Sequence, residues 1–125
     1  MPVFPIPPEI GTEEEYRKKY TEEDLFNEFT RNEKGEVVMS EEDAQKKVKK
    51  LGGYDRLYRI KLEADYLKEL AMKGAVRRYG ENIPPDIMER LIFELHIMKT
   101  MGFPGYFLIV QDFIQAARDM GVIVG

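Results

Sequence analysis

The sequence contains no cysteine and only one histidine among its 125 residues. Without cysteine the chain has no disulfide, no thiolate nucleophile and no cysteine-type zinc site. We therefore expect a reducing, cytoplasmic setting, although a lack of cysteine is compatible with other compartments. The single histidine, His96, has no catalytic partner nearby in the sequence. A structural role is therefore favoured for it over a catalytic or metal-binding one.

Long apolar runs are also missing. The longest run, YFLIV at residues 106–110, has five residues, whereas a membrane-spanning helix needs about 20. The first residues, MPVFP, lack the basic region and the apolar region of a signal peptide. We therefore expect no membrane partner.

The net charge is only −4, but the charged residues are unevenly distributed. Residues 1–45 carry 5 basic and 13 acidic side chains, whereas residues 46–125 carry 14 and 10. The second part is therefore better suited than the first to face phosphate groups. The basic residues considered for such contacts are Lys46, Lys47, Lys49, Lys50, Arg56, Arg59, Lys73, Arg77 and Arg78.

These basic residues have a second explanation. Lysines late in a helix complement the negative end of its dipole and form a solvated face. In addition, no aromatic side chains alternate with them in a base-stacking pattern. Both interpretations stay open, so the DNA-binding residues are left unknown.

The first part of the chain contains strong helix signals. Residues 1–11 hold four prolines between apolar side chains, which predicts an extended strap along a neighbouring surface. Thr12, Thr21 and Ser40 each precede an acidic triplet, which predicts three short capped helices. Between the second and the third of these predicted helices, residues 36–39 predict a brief extended segment. A calcium-binding loop is the rival interpretation of the acidic triplets, but the alternating ligands and central glycine of that motif are absent.

The second part predicts longer helices. Residues 54–79 carry two adjacent apolar seams at spacings of three and four, which predicts one helix about 39 Å long. A helix this long is expected to project from the domain or to pack against something that this chain does not contain. Residues 85–101 and 106–120 predict two further helices around a Gly-Phe-Pro-Gly turn, an αα-hairpin. The predicted fold is mainly α, with strand content confined to residues 36–39 and 122–125.

Catalytic motifs are scarce. The sequence has no glycine-rich phosphate loop, no HExxH motif and no serine-histidine-aspartate set. Asp112 is the one acid in an apolar neighbourhood and is a possible metal ligand or general base. The favoured interpretation is that Gln111 and Asp112 lie where the helix face turns towards solvent.

The end of the chain closely resembles the alpha subunit of bacterial DNA polymerase III, the C-family replicative polymerase. The most specific block is MGFPGYFLIVQDFI at residues 101–114. Further similar segments occur at residues 4–7, 66–71, 74, 78–80, 89–91, 94–95, 97–99, 121–122 and 124–125. The resemblance covers about residues 1–16 and 66–125.

This resemblance implies a division of the chain. Residues 1–16 are the proline-rich strap and the start of the first helix, and residues 17–65 are an inserted helical segment. Residues 66–125 are the helical N-terminal part of the palm, which follows the PHP domain in this family. The family's Pro-Gly-Arg-Gly-Ser motif and its magnesium-binding aspartates are expected beyond residue 125. No catalytic, nucleotide-binding or metal-binding residue is therefore assigned to this chain.

The resemblance also implies an activity for the parent protein. It is a DNA-directed DNA polymerase, a nucleotidyltransferase that uses Mg²⁺ and deoxynucleoside triphosphates on primed template DNA and binds other replicase subunits. This chain is expected to be inactive alone, to need no cofactor and to support the palm by packing on the rest of the polymerase. The alternative is an independent helical protein-interaction module.

Overall fold

The structure is a computed structural model that describes residues 4–109 and 119–121. Five helices follow one another: α1 (Glu13–Lys19), α2 (Glu22–Thr30), α3 (Glu41–Lys50), α4 (Tyr54–Tyr79) and α5 (Pro85–Thr100). A further helical segment occupies residues 104–109. The mainly α prediction is confirmed. The predicted strand at residues 122–125 lies outside the described residues.

The three predicted N-caps are present. The hydroxyl groups of Thr12, Thr21 and Ser40 accept hydrogen bonds from the backbone amides three residues later. A complete capping box forms at Thr21, where the Asp24 carboxylate also accepts from the Thr21 backbone amide. These bonds satisfy amides that have no partner within the helix, which explains where the short helices begin.

The predicted extended segment at residues 36–39 is reduced to one antiparallel bridge between Arg31 and Val37. The Asn32 side-chain oxygen accepts from the amides of Lys34 and Glu36 and so closes the intervening turn. A single bridge has no third strand to support it, and no regular strand forms among the described residues.

The hydrophobic core is built by α1, α2, α3 and the first half of α4. Its buried members are Tyr16, Leu25, Phe29, Val48, Leu57, Tyr58, Ile60 and Leu62. Most of them lie between residues 17 and 65, the segment predicted to be an insertion. The predicted division between residues 65 and 66 falls inside the continuous helix α4, and the division itself stays a prediction.

The proline-rich strap packs on this core, as its apolar residues predict. Ile6 and Ile10 lie against the core cluster, and the Phe4 ring lies 6.1 Å from the Tyr66 ring of α4. The strap therefore covers α4 without adding a helix of its own.

Helix α4 is buried over only half of its length. Its buried residues run from Leu57 to Leu67, whereas Leu70, Val76 and Tyr79 are exposed. Helix α5 returns towards the core, where its end approaches α2 and α4. The two predicted seams are therefore both buried near the start of α4, and its second half extends beyond the core.

The turn after α5 begins the predicted hairpin. Gly102 adopts a left-handed conformation, with a φ of +83°, and the next helical segment starts at Pro104 instead of the predicted Tyr106. Proline suits a first helical position because its missing amide would have no partner there. The remainder of the predicted helix to residue 120 lies largely outside the described residues.

Candidate functional site

The charged residues that sequence analysis singled out do not form one site. On α4, Lys73 pairs with Glu69 at 3.2 Å, and the Arg78 guanidinium lies 5.7 Å from the centre of the Tyr79 ring. Arg56 and the four lysines of α3 belong to a separate region around the α3–α4 turn. Asp112 lies outside the described residues.

Arg59 is not available to DNA, which removes it from the predicted basic contacts. Its largely buried side chain lies 3.1 Å from Glu63 and 4.0 Å from Glu13. It also donates a hydrogen bond to the carbonyl oxygen of Phe4 in the strap. Arg59 therefore joins the strap, α1 and α4, a role that comes from tertiary packing.

The main polar feature of the structure is a cluster that sequence analysis missed. The Lys61 side chain of α4 is only 7% exposed. Its ammonium donates to both carboxylate oxygens of Glu28 at 2.9 and 3.0 Å and lies 3.5 Å from Asp65. It also lies 4.5 Å from the centre of the Tyr20 ring. We call Glu28, Lys61, Asp65 and Lys99 the buried charge cluster.

Lys99 brings α5 into this cluster. Its ammonium lies 3.6 Å from Glu28, so one carboxylate of α2 is shared between lysines of α4 and α5. Burial alone would lower the pKa of Lys61, but the Glu28 and Asp65 carboxylates outweigh burial and raise it. For Lys99, burial dominates and lowers the pKa, because Glu28 is further away and Lys61 repels it.

Tyr16 completes the surroundings of Asp65. Its hydroxyl donates to Asp65 at 2.7 Å. Burial, and then the hydrogen bond to the carboxylate, raise the pKa of the Tyr16 hydroxyl, so it stays a donor. Across the described residues, no buried side-chain nitrogen or oxygen lacks a hydrogen-bond partner. The cluster is therefore internally satisfied.

A signal for this cluster is present in the sequence. Lys61 follows Leu57 by four residues and Tyr58 by three, which places it on the buried side of α4. A lysine in that position must find carboxylates, and Asp65 is four residues further along. Glu28 lies 33 residues away in sequence, so local pattern analysis could not identify it.

His96 has the structural role that was favoured. Its Nε2 donates to the carbonyl oxygen of Arg31 at 2.6 Å and thereby ties α5 to the end of α2. Burial lowers the pKa of His96 and outweighs the contribution of that carbonyl. The neutral imidazole is therefore the form that the fold favours.

The Gly-Phe-Pro-Gly turn packs closely on the core. Pro104 is fully buried and Leu108 is 1% exposed. A Cβ on Gly105 would lie 2.7 Å from a carboxylate oxygen of Glu63. A Cβ on Gly102 would lie 2.9 Å from Leu51. Both glycines therefore allow an approach that no larger residue would allow without a shift of the neighbouring side chains.

The described residues were also compared with the requirements of a metal site and of a membrane span. They contain no group of three or more histidine, aspartate or glutamate side chains placed to hold a metal ion. None of the described helices is long and apolar enough to cross a bilayer. The described residues do provide a closely packed contact between the core and the stretch of chain that begins in α4.

The second half of the chain matches a known family. Residues 65–125 match the model described as "Bacterial DNA polymerase III alpha NTPase domain". The DNA polymerase III subunit alpha of Halalkalibacterium halodurans is 44% identical over 61 residues, which is 49% of this chain and 6% of that protein. The error-prone DNA polymerase of Nocardia farcinica is 40% identical over 62 residues, 49% of this chain and 5% of that protein.

One relative matches nearly the whole chain. The DNA polymerase III subunit alpha of Borreliella burgdorferi is 35% identical over 121 residues, which is 93% of this chain and 10% of that protein. Most of α1, α2 and α3 therefore has a counterpart in that relative. The chain spans about a twentieth to a tenth of the length of these relatives. No solved structure matches the chain.

The Glu28–Lys61 pair is expected to be strongly coupled. A double-mutant cycle of Glu28→Gln and Lys61→Gln, followed by chemical unfolding, should give a coupling free energy of about 1–3 kcal/mol. The exposed Arg17–Asp55 pair is the control, because its Asp55 side chain is 89% exposed and such pairs contribute up to about 1 kcal/mol. Equal coupling in the two pairs would contradict the importance of burial.

Alanine at Gly105 is expected to destabilise the fold by about 1–3 kcal/mol, the usual cost of leaving a buried polar group without its partner. The new methyl group would displace Glu63 from Arg59. The control is Gly74→Ala in α4, where the nearest atom to a Cβ is 3.9 Å away. That change should stabilise the helix by up to about 1 kcal/mol. Thermal unfolding would show a lower melting temperature for Gly105→Ala and a higher one for Gly74→Ala. A higher melting temperature for Gly105→Ala would contradict the close packing of the turn.

The depressed pKa of His96 predicts a loss of stability in mild acid. The ordinary pKa is 6.5 and the folded value is lower, so the unfolded chain takes up the proton first. The contribution of neutral His96 to the stability of the fold is complete above the ordinary pKa. It decreases as the pH drops from the ordinary pKa towards the folded pKa. We expect His96→Gln, which keeps a donor but does not titrate, to lose less stability between about pH 7.5 and about pH 5. Urea midpoints that fall equally in both proteins would contradict this.

Proposed function

We propose that this chain, which belongs to the family of bacterial DNA polymerase III alpha subunits, is a helical support for the polymerase palm. The parent protein extends primed template DNA with deoxynucleoside triphosphates. In this proposal the chain contributes the first helical part of the palm. It positions elements that carry the chemistry and contributes no reacting group of its own.

The observation that carries this proposal is the packing of the family-matched turn. Pro104, Gly105 and Leu108 lie within the block that most resembles the family, and all three are buried against the rest of the chain. A fully buried proline and glycines whose added methyl group would displace a neighbouring side chain are features of a packing contact. A substrate-binding turn would need its backbone open to the ligand.

Magnesium is the cofactor expected of the parent, where it would stabilise the charge that develops during phosphoryl transfer. The carboxylates of the buried charge cluster do not fit that use. Glu28 is bound to two lysines, and Asp65 to Tyr16 and Lys61. We therefore assign no magnesium ligand among the described residues and derive no catalytic step here.

Packing on the rest of the polymerase is supported by an exposed apolar strip. Phe93 and Ile97 on α5 and Met101, the residue that caps its C-terminal end, lie four residues apart and are 38–58% exposed, which places them on one helix face. Tyr106, in the following helical segment, is 54% exposed. Since the relatives are ten to twenty times longer than the matched stretch, we propose that the polymerase body covers this strip in the cytoplasm.

An independent interaction module is the second candidate. It is favoured by the position of the core, most of which precedes the residues that match the family model. The candidates differ in the state of the apolar strip. A supporting element of a larger enzyme should bind an apolar dye and associate with itself, whereas an independent module should sediment as a monomer that binds little dye.

A primer-extension assay tests the proposed support role. With Mg²⁺ and deoxynucleotides we expect no extension by the 125-residue chain, and extension by a full alpha subunit that carries this segment. In that subunit, Gly105→Ala should lower the temperature of inactivation while the extension rate at low temperature stays close to that of Gly74→Ala. Extension by the short chain alone, or loss of rate without loss of thermal stability, would contradict the proposal.

A further inference from the structure

The end of α3 carries the densest basic cluster in the sequence, with four lysines within five residues. Ala44 and Val48 are buried and fix the orientation of this helix. At about 100° per residue, Lys46 and Lys50 point away from that buried side, and Lys49 lies next to them. Lys46, Lys49 and Lys50 are exposed and Lys47 is half-buried. We call the three exposed side chains the α3 lysine face.

Nearby negative charge balances this face only in part, because Glu23 and Glu41 line the same surface groove as Lys49 but only one of the four lysines forms an ion pair among the described residues. Lys46 lies 3.4 Å from Glu42; the other three lysines of the cluster form no ion pair within the part of the chain that the structure describes. The helix dipole contributes roughly half a negative charge at this end. The dipole explanation accounts for only a small part of the cluster.

The surroundings add more positive charge. Burial, and then the neighbouring Lys50, lower the pKa of Lys47. The two ammonium groups are therefore close enough to repel each other. Arg56 follows at the start of α4, with its side-chain stem against Gly52. In a chain of net charge −4, such a concentration of one sign creates a local positive potential that attracts a polyanion.

We infer that the α3 lysine face binds the phosphate backbone of duplex DNA. This inference rests on the proposed function, because DNA is the polyanion on which a polymerase acts. The face lies outside residues 65–125, which match the family model. It would therefore add a DNA contact to those family members that share the N-terminal segment. Lys46 and Lys50 are about 6 Å apart along the helix axis, which allows them to reach neighbouring phosphates of one strand.

The test is a titration of a fluorescent DNA duplex with the 125-residue chain at several salt concentrations. The variant replaces Lys46, Lys49 and Lys50 by glutamine. A control replaces Lys18, Lys34 and Lys68, which are also exposed, so both proteins lose three positive charges. Glutamine is a good helix former, and circular dichroism would confirm that the helix content is unchanged.

We expect the slope of log affinity against log salt to become shallower by roughly 2–3 in the α3 variant, about 0.9 for each lost phosphate contact. The control should change this slope much less. Two duplexes of unrelated sequence should bind equally, because phosphate contacts carry no sequence information.

Equal weakening in the two variants would overturn the inference, because it would mean that net charge alone matters. Absence of salt-dependent binding by the unaltered chain would also overturn it. Tighter binding to duplex RNA than to duplex DNA would overturn the choice of partner. None of these results would affect the support role, which primer extension and thermal inactivation test separately.

Discussion

The structure depends on the neutralisation of Lys61. Its ammonium is carried into the interior because the neighbouring positions of α4, Leu57 and Ile60, are core residues. A buried cation without partners would cost several kcal/mol, so α2 must supply Glu28 and α4 must supply Asp65. Because Glu28 also faces Lys99, the same requirement sets where α5 lies. One charge therefore links three helices.

The continuity of α4 gives this arrangement its functional meaning. The first half of the helix is packed against α1 and α2, whereas the family match begins at residue 65, within the same helix. The stretch shared with the polymerases therefore begins on an element that the N-terminal core already holds. The Gly-Phe-Pro-Gly turn returns to that core beside Glu63 and Leu51. A displacement of α4 would therefore move both the N-terminal core and the stretch shared with the polymerases.

The polar residues of the site are predictable from the sequence where their signal is local and are not predictable where their partner is distant in sequence. The structural role of His96 was the favoured interpretation, but its partner, the Arg31 carbonyl, is 65 residues away and leaves no pattern in the sequence. Arg59 was grouped with possible DNA contacts because a basic residue on a helix is usually solvated. Glu63, Glu13 and the strap bury it instead.

The sequence by itself determined the helices, their caps and the family resemblance. Capping hydroxyls, acidic first turns, apolar spacing and helix-ending glycines act within a few residues of one another. The tertiary structure alone decided which charges are buried, that the predicted insertion holds most of the core, and that the buried part of α4 ends near Leu67. These outcomes depend on contacts between residues tens of positions apart, where burial and charge neutralisation outweigh local preference.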